Sequence, residues 1–133
     1  MRDHKESGMT ILGNLVGFIP TRNGDAARVF YETKVGLRFR SEDQFAVVFQ
    51  SGENIIRLAR TGSFTPAPFT ILGWESTDIE RDVREMSARG VIFERYEYMG
   101  AQDELGIWTA PGGAKVAWFK DPDGNTLSIS QHT

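Results

Sequence analysis

Residues 117–129, AWFKDPDGNTLSI, decide the fold. Pro122 is preset for the second position of a tight turn, and Gly124 is free to take positive φ. DPDGN (121–125) therefore joins a strand at AKVAWFK (114–120) to a final strand at NTLSISQ (125–131). Before them stand a long loop, MGAQDELGIWTAPGG (99–113), and a strand at VIFERYEY (91–98). Further back is DIERDVREMSARG (78–90), where Ile79, Val83 and Met86 make one apolar helix face. Thr77 and Glu80 have capping-box spacing at its start, and Gly90 is placed to stop it. FTILGWES (69–76) is a strand, so the second half reads β-α-β-β-β.

The first half repeats that order. TILGNLVGFI (10–19) has strand composition and is closed by Pro20, and RNGD (22–25) is a loop. A helix follows with Ala26, Val29, Phe30 and Lys34 at helical spacing, Asn23 or Asp25 as its cap, and Gly36 as its end. LRFRS (37–41), QFAVVFQ (44–50) and NIIRLAR (54–60) are three strands, the last two joined by the hairpin signal Ser51-Gly52-Glu53. TGSFTPAP (61–68) is a linker. The expectation is one α+β domain, residues 10–133, of two βαβββ modules (10–60 and 69–131). Residues 1–9 read as a flexible N-terminal tail, in which Met9 is an alternative start.

Composition narrows the function classes. The chain has 133 residues, 40% of them hydrophobic and 25% charged, an ordinary globular balance. Its net charge of −3, with 15 scattered basic residues, argues against nucleic acid as a partner. Cysteine is absent, which excludes disulfides, thiolate metal sites and cysteine nucleophiles. No apolar run reaches the roughly 18 residues of a membrane span, and MRDHKESG lacks the apolar centre of a signal peptide. A cytoplasmic location and no membrane partner are expected.

The pair Phe30-Tyr31 followed by Val35-Gly36-Leu37, together with the DPDGN turn entering the last strand, resembles the vicinal oxygen chelate superfamily. That superfamily includes glyoxalase I, bleomycin-resistance proteins and extradiol dioxygenases. The resemblance runs from about Ile11 to Gln131. It implies that each module forms a curved, mixed-sheet half-barrel whose concave side is the binding or active site. It also implies a homodimer. Metal-dependent members hold a divalent ion with His, Gln or Glu from four strands, and the corresponding positions here are Val16, Arg57, Leu72 and Ser128. Val16 and Leu72 carry no donor, Ser128 is a weak neutral one, and Arg57 would repel a cation at close range. A one-residue slip turns the neighbours to the opposite face. The two histidines, His4 and His132, lie near the ends of the chain. No metal cofactor is therefore expected, although a relocated site using Glu53, Glu75 or Glu97 is an alternative.

Strand parity nominates the lining of the cleft. Asn14, Val16 and Phe18 would share it with Ile55, Arg57 and Ala59, and with Thr70, Leu72 and Trp74, and Thr126, Ser128 and Ser130. Arg57 would anchor a carboxylate or phosphate, unless it pairs internally with Glu53, Glu75 or Glu97. Trp74 and Trp108 offer stacking faces, with core packing the competing role. Tyr98 and Gln50 could reach the rim. Asp103 and Glu104 in the long loop are candidate bases, or simply solvated charges. A Ser or Thr nucleophile lacks a His in the body of the chain, and GGAK lacks P-loop spacing. These features suggest a metal-free protein that sequesters a planar or acidic small molecule. The alternative is a divergent lyase, isomerase or dioxygenase using loop carboxylates or relocated ligands. Elemental analysis of tag-free protein should find no stoichiometric Fe, Mn, Ni or Zn. Stoichiometric metal, lost on mutating pocket carboxylates, would decide for the enzyme.

Overall fold

The computed structural model describes residues 11–133, so the proposed tail at 1–9 lies outside the described residues. The first module runs β1 (Val16–Thr21), α1 (Gly24–Val29), β2 (Arg38–Glu42), β3 (Ala46–Ser51) and β4 (Asn54–Arg60). The second runs β5 (Thr70–Glu75), α2 (Ile79–Ala88), β6 (Trp108–Thr109), β7 (Lys115–Lys120) and β8 (Thr126–Gln131). Each builds a four-stranded mixed sheet, ordered β1-β4-β3-β2 and β5-β8-β7-β6. In both sheets the first strand pairs parallel with the last, and the remaining neighbours are antiparallel. No described helix is long and apolar enough to cross a membrane.

Local signals explain most of the boundaries. The Asn23 side chain accepts from the Ala26 amide and caps α1, which continues as a π-helical segment at Phe30–Val35. Gly36 ends that segment at φ 92°, a conformation costly for any residue with a Cβ. The α2 cap is Asp78, which accepts from the Arg81 amide, and not the expected Thr77–Glu80 pair.

Two strand expectations need correction. β1 begins at Val16 instead of residue 10 and passes through Pro20 to Thr21. Proline is tolerated there because β1 is an edge strand with one partner. Residues 91–98 form no strand; Phe93 makes a single bridge to Phe119, and the chain then turns away. The sixth strand lies instead inside the expected loop, where Trp108 and Thr109 pair with Val116 and Lys115. Both short segments share the same edge of β7, Phe93 at Phe119 and Trp108–Thr109 at Val116–Lys115, so each takes only part of it.

One core joins the modules. Tyr31 and Phe30 from the first half pack with Phe49 and Phe119, and Ile79, Val83 and Met86 close it from α2. A buried polar seam crosses the same boundary. The Tyr31 hydroxyl donates to Asp121 at 2.6 Å, and the Thr21 hydroxyl and Arg22 amide donate to Asp123. Asn125 donates through its side chain to the Pro20 carbonyl and to Asp121. Burial pushes the Tyr31 phenol well above its ordinary value of 10.0, and the charges of Asp121 and Asp123 act in the same direction. Stability from the neutral phenol is therefore complete below about pH 10 and is lost as pH climbs toward the raised folded-state value. Tyr31→Phe should cost about 1–3 kcal/mol in urea unfolding near neutral pH. The gap to wild type should narrow above about pH 10, and a gap that stays flat would contradict a phenol held neutral by the fold.

Candidate functional site

Each sheet has one face on the core and one open face. In the first sheet the register sets Val16 and Phe18 opposite Ile55 and Arg57, with Val48 beside Arg57. Their neighbours Ile19, Ile56 and Leu58 are buried in the core. Phe18 is 66% exposed. Arg57 forms no ion pair with Glu53, Glu75 or Glu97; its charge acts on Asp43, whose carboxyl is held low chiefly by the amides of Phe45 and Ala46. Gln50 is engaged in its hairpin, accepting from Arg40 and donating to the Gly52 carbonyl. Asn14 sits in an exposed bend before β1.

The second sheet departs from simple alternation. Thr70 pairs with Thr126, but the next pair is Leu72 with Leu127, so β5 carries one extra residue at this bulge. Ile71, Leu72 and Trp74 consequently pack against the core. Gly73 and Glu75 take the open face beside Ser128 and Ser130. Trp74 does not line the cavity beside Trp118: its ring stacks on Phe119 at 6.4 Å, and its indole N–H donates to the Ser51 hydroxyl. A Cβ at position 73 would come 2.6 Å from the Ser128 hydroxyl, so glycine lets the two strands approach.

Of the four positions that the resemblance pairs with a metal, the bulge replaces Leu72 by Gly73 opposite Ser128, so the set becomes Val16, Arg57, Gly73 and Ser128. Their chemistry does not fit a divalent ion: two lack donor side chains, one is a cation, and one is a neutral hydroxyl. Among the described residues, no three His, Asp or Glu side chains gather to hold a metal.

The open face of the second sheet is aromatic for a different reason. Alternation along β7 buries Ala117 and Phe119 and turns Val116, Trp118 and Lys120 outward. Trp118 stands opposite Ser128, and Lys120 opposite Thr126. A chain of rings runs across this region: Tyr98 to Tyr96 at 5.6 Å, Tyr96 to Trp118 at 5.6 Å, and Trp118 to Trp108 at 6.1 Å. Beside it lies a cavity of about 610 Å³, walled by Trp118, Tyr96 and Tyr98 and by the linker end Pro66–Phe69. Lys120, Thr126 and Thr70 complete its polar side. Arg57, Ser128 and Trp108 do not line it, although Trp108 backs Trp118.

Tyr96, Trp118, Lys120 and Phe69 are site residues beyond those expected from the sequence. The two on β7 were accessible in principle, because the alternation of AKVAWFK against NTLSISQ places them on the Ser128 face. Tyr96 depends on a tertiary contact. The Gln102 side chain accepts from the Tyr96 amide and donates to the carbonyls of Glu94 and Gly106, holding the loop against β7. Burial, followed by the nearby Glu94 and Tyr98, raises the Tyr96 phenol above its ordinary value, keeping it a hydroxyl donor.

Of the two loop carboxylates, Asp103 serves structure. Asp103 accepts from the amides of Leu105 and Ile107 and so shapes the turn into β6. Neither Asp103 nor Glu104 lines the cavity. His132, near the end of the chain, has Nε2 3.0 Å from Ser130 Oγ. That pair is exposed, and neither residue lines the cavity.

No protein-family model matches the chain, and no curated protein does. Solved structures match along nearly the whole chain. A member of the glyoxalase/bleomycin resistance protein/dioxygenase superfamily from Sphaerobacter thermophilus aligns at TM-score 0.72 and 20% identity, covering 92% of this chain and 98% of its own. TnmS3, an antibiotic binding protein from a Streptomyces species, aligns at 0.71 and 20%, covering 94% and 99%. A lactoylglutathione lyase from Agrobacterium tumefaciens aligns at 0.68 and 16%, covering 90% and 92%.

Gln102→Ala should cost about 1–3 kcal/mol of stability, from the three hydrogen bonds it removes. It should also speed amide exchange at Tyr96; unchanged exchange there would show that the loop is held by other contacts. Two four-stranded mixed sheets, each from a βαβββ module, are the fold of the glyoxalase/bleomycin resistance protein/dioxygenase superfamily, and this chain has that fold.

Proposed function

We propose that this protein binds and sequesters a planar or acidic small molecule in the cavity beside Trp118, without a resident metal and without turnover. The observation that carries this reading is the run of Tyr98, Tyr96 and Trp118 along one wall of a cavity of about 610 Å³, with Trp108 packed behind Trp118. Such a wall offers flat π surfaces to a ring system, and the volume falls in the range of small-molecule sites. The donor-poor metal positions and the structural engagement of Asp103 support binding over catalysis. The likeness to an antibiotic binding protein adds a precedent for this role on the fold.

A homodimer belongs to the same proposal, supported by the family resemblance and by the apolar exposure of Leu15, Val16 and Phe18. We place the protein in the cytoplasm, a setting compatible with its cysteine-free sequence.

Titration with a fused-ring aromatic probe, followed by tryptophan quenching, tests the reading. Trp118→Ala should weaken binding by about 1–3 kcal/mol, the range expected from lost stacking and burial. Trp74→Phe should leave the affinity unchanged, because that ring belongs to the core. Equal affinity for wild type and Trp118→Ala would place the ligand elsewhere.

A further inference from the structure

We infer that Lys120 selects ligands bearing an anionic group at one end of a planar body, an inference that rests on the binding reading above. Among the described residues lining the cavity, Lys120 is the one charged side chain, and no carboxylate accompanies it. The other lysine of β7, Lys115, has Glu80 at 3.9 Å. Lys120 has no ion pair or side-chain hydrogen bond among the described residues.

Its surroundings are arranged for an anion. The register sets Lys120 across from Thr126, and Thr126 across from Thr70, so an ammonium and two hydroxyls lie in one row of the sheet. All three line the cavity, and the next row on the same face holds Trp118. A ring on the aromatic wall would thus direct an attached sulfonate, carboxylate or phosphate toward a cation and two hydroxyl donors. Attraction between the lysine and such a group is strengthened where apolar walls exclude water. Arg57, the anion anchor expected from parity, projects from the other sheet and does not line this cavity.

Two fluorescent probes share this ring system and differ in charge: anilinonaphthalene sulfonate and neutral phenylnaphthylamine. Lys120→Met should weaken the sulfonate by about three- to tenfold and leave the neutral probe unchanged, a size expected for a partly exposed charge-assisted contact. Lys120→Glu should weaken the sulfonate further, and added salt should reduce its binding to wild type but not to Lys120→Met. Arg57→Met should change neither probe. Equal effects of Lys120→Met on both probes, or no effect on either, would overturn the role of Lys120. Loss of sulfonate binding in Arg57→Met alone would assign the anchor to Arg57 instead. If Trp118→Ala alters neither probe, the cavity reading itself fails, and the inference fails with it.

Discussion

Two carboxylates buried in the turn between β7 and β8 hold the halves of the molecule in relation to one another. Asp121 receives the Tyr31 hydroxyl and the Asn125 side chain, and Asp123 receives the Thr21 hydroxyl and the Arg22 amide. A buried carboxylate left unmatched costs several kcal/mol, of order 2–7 even for a neutral polar group, so this turn is stable only where the first module supplies its donors. Neither module satisfies its own polar groups alone. The core contact from Phe30 to Phe119 crosses the same boundary.

The cavity inherits its precision from that turn. Trp118 and Lys120 precede it on β7, and Thr126 follows it on β8. Gly124 sits against Pro66 of the linker, so the turn also positions one end of the cavity wall. A ring wall and a lysine therefore hang from a hairpin whose turn is tied by buried hydrogen bonds to the first module. The part of that wall around Tyr96 is held by the Gln102 side chain and by the Glu94 amide, which donates to the Trp118 carbonyl. The site thus joins a fixed sheet to a loop whose attachment is local, an arrangement suited to admitting ligands of varied outline.

The bulge in β5 decides which chemistry the open face can hold. One extra residue sends Leu72 and Trp74 into the core and leaves Gly73 next to Ser128. At Gly73 the chain brings backbone into close contact with Ser128, and no side chain is available there to hold a bound group. The aromatic character that β5 lends to the core is replaced, on the open face, by rings from β7 and from the loop before β6.

The sequence by itself determined what short-range rules encode. The repeated βαβββ order, the helix ends at Gly36 and Gly90, a cap at Asn23 or Asp25 and the DPDGN turn all follow from periodicity and from the conformational limits of Gly, Pro and Asn. The absence of donors at Val16 and Arg57 was equally plain, because it depends on residue type alone. Tertiary structure decided the bulge at Ile71, the transfer of the sixth strand from residues 91–98 to Trp108–Thr109, and the pinning of Tyr96 by Gln102. The reason is common to all three. Alternation specifies that side chains change faces, but an inserted residue or a contested strand edge is resolved only when distant segments compete for the same hydrogen bonds.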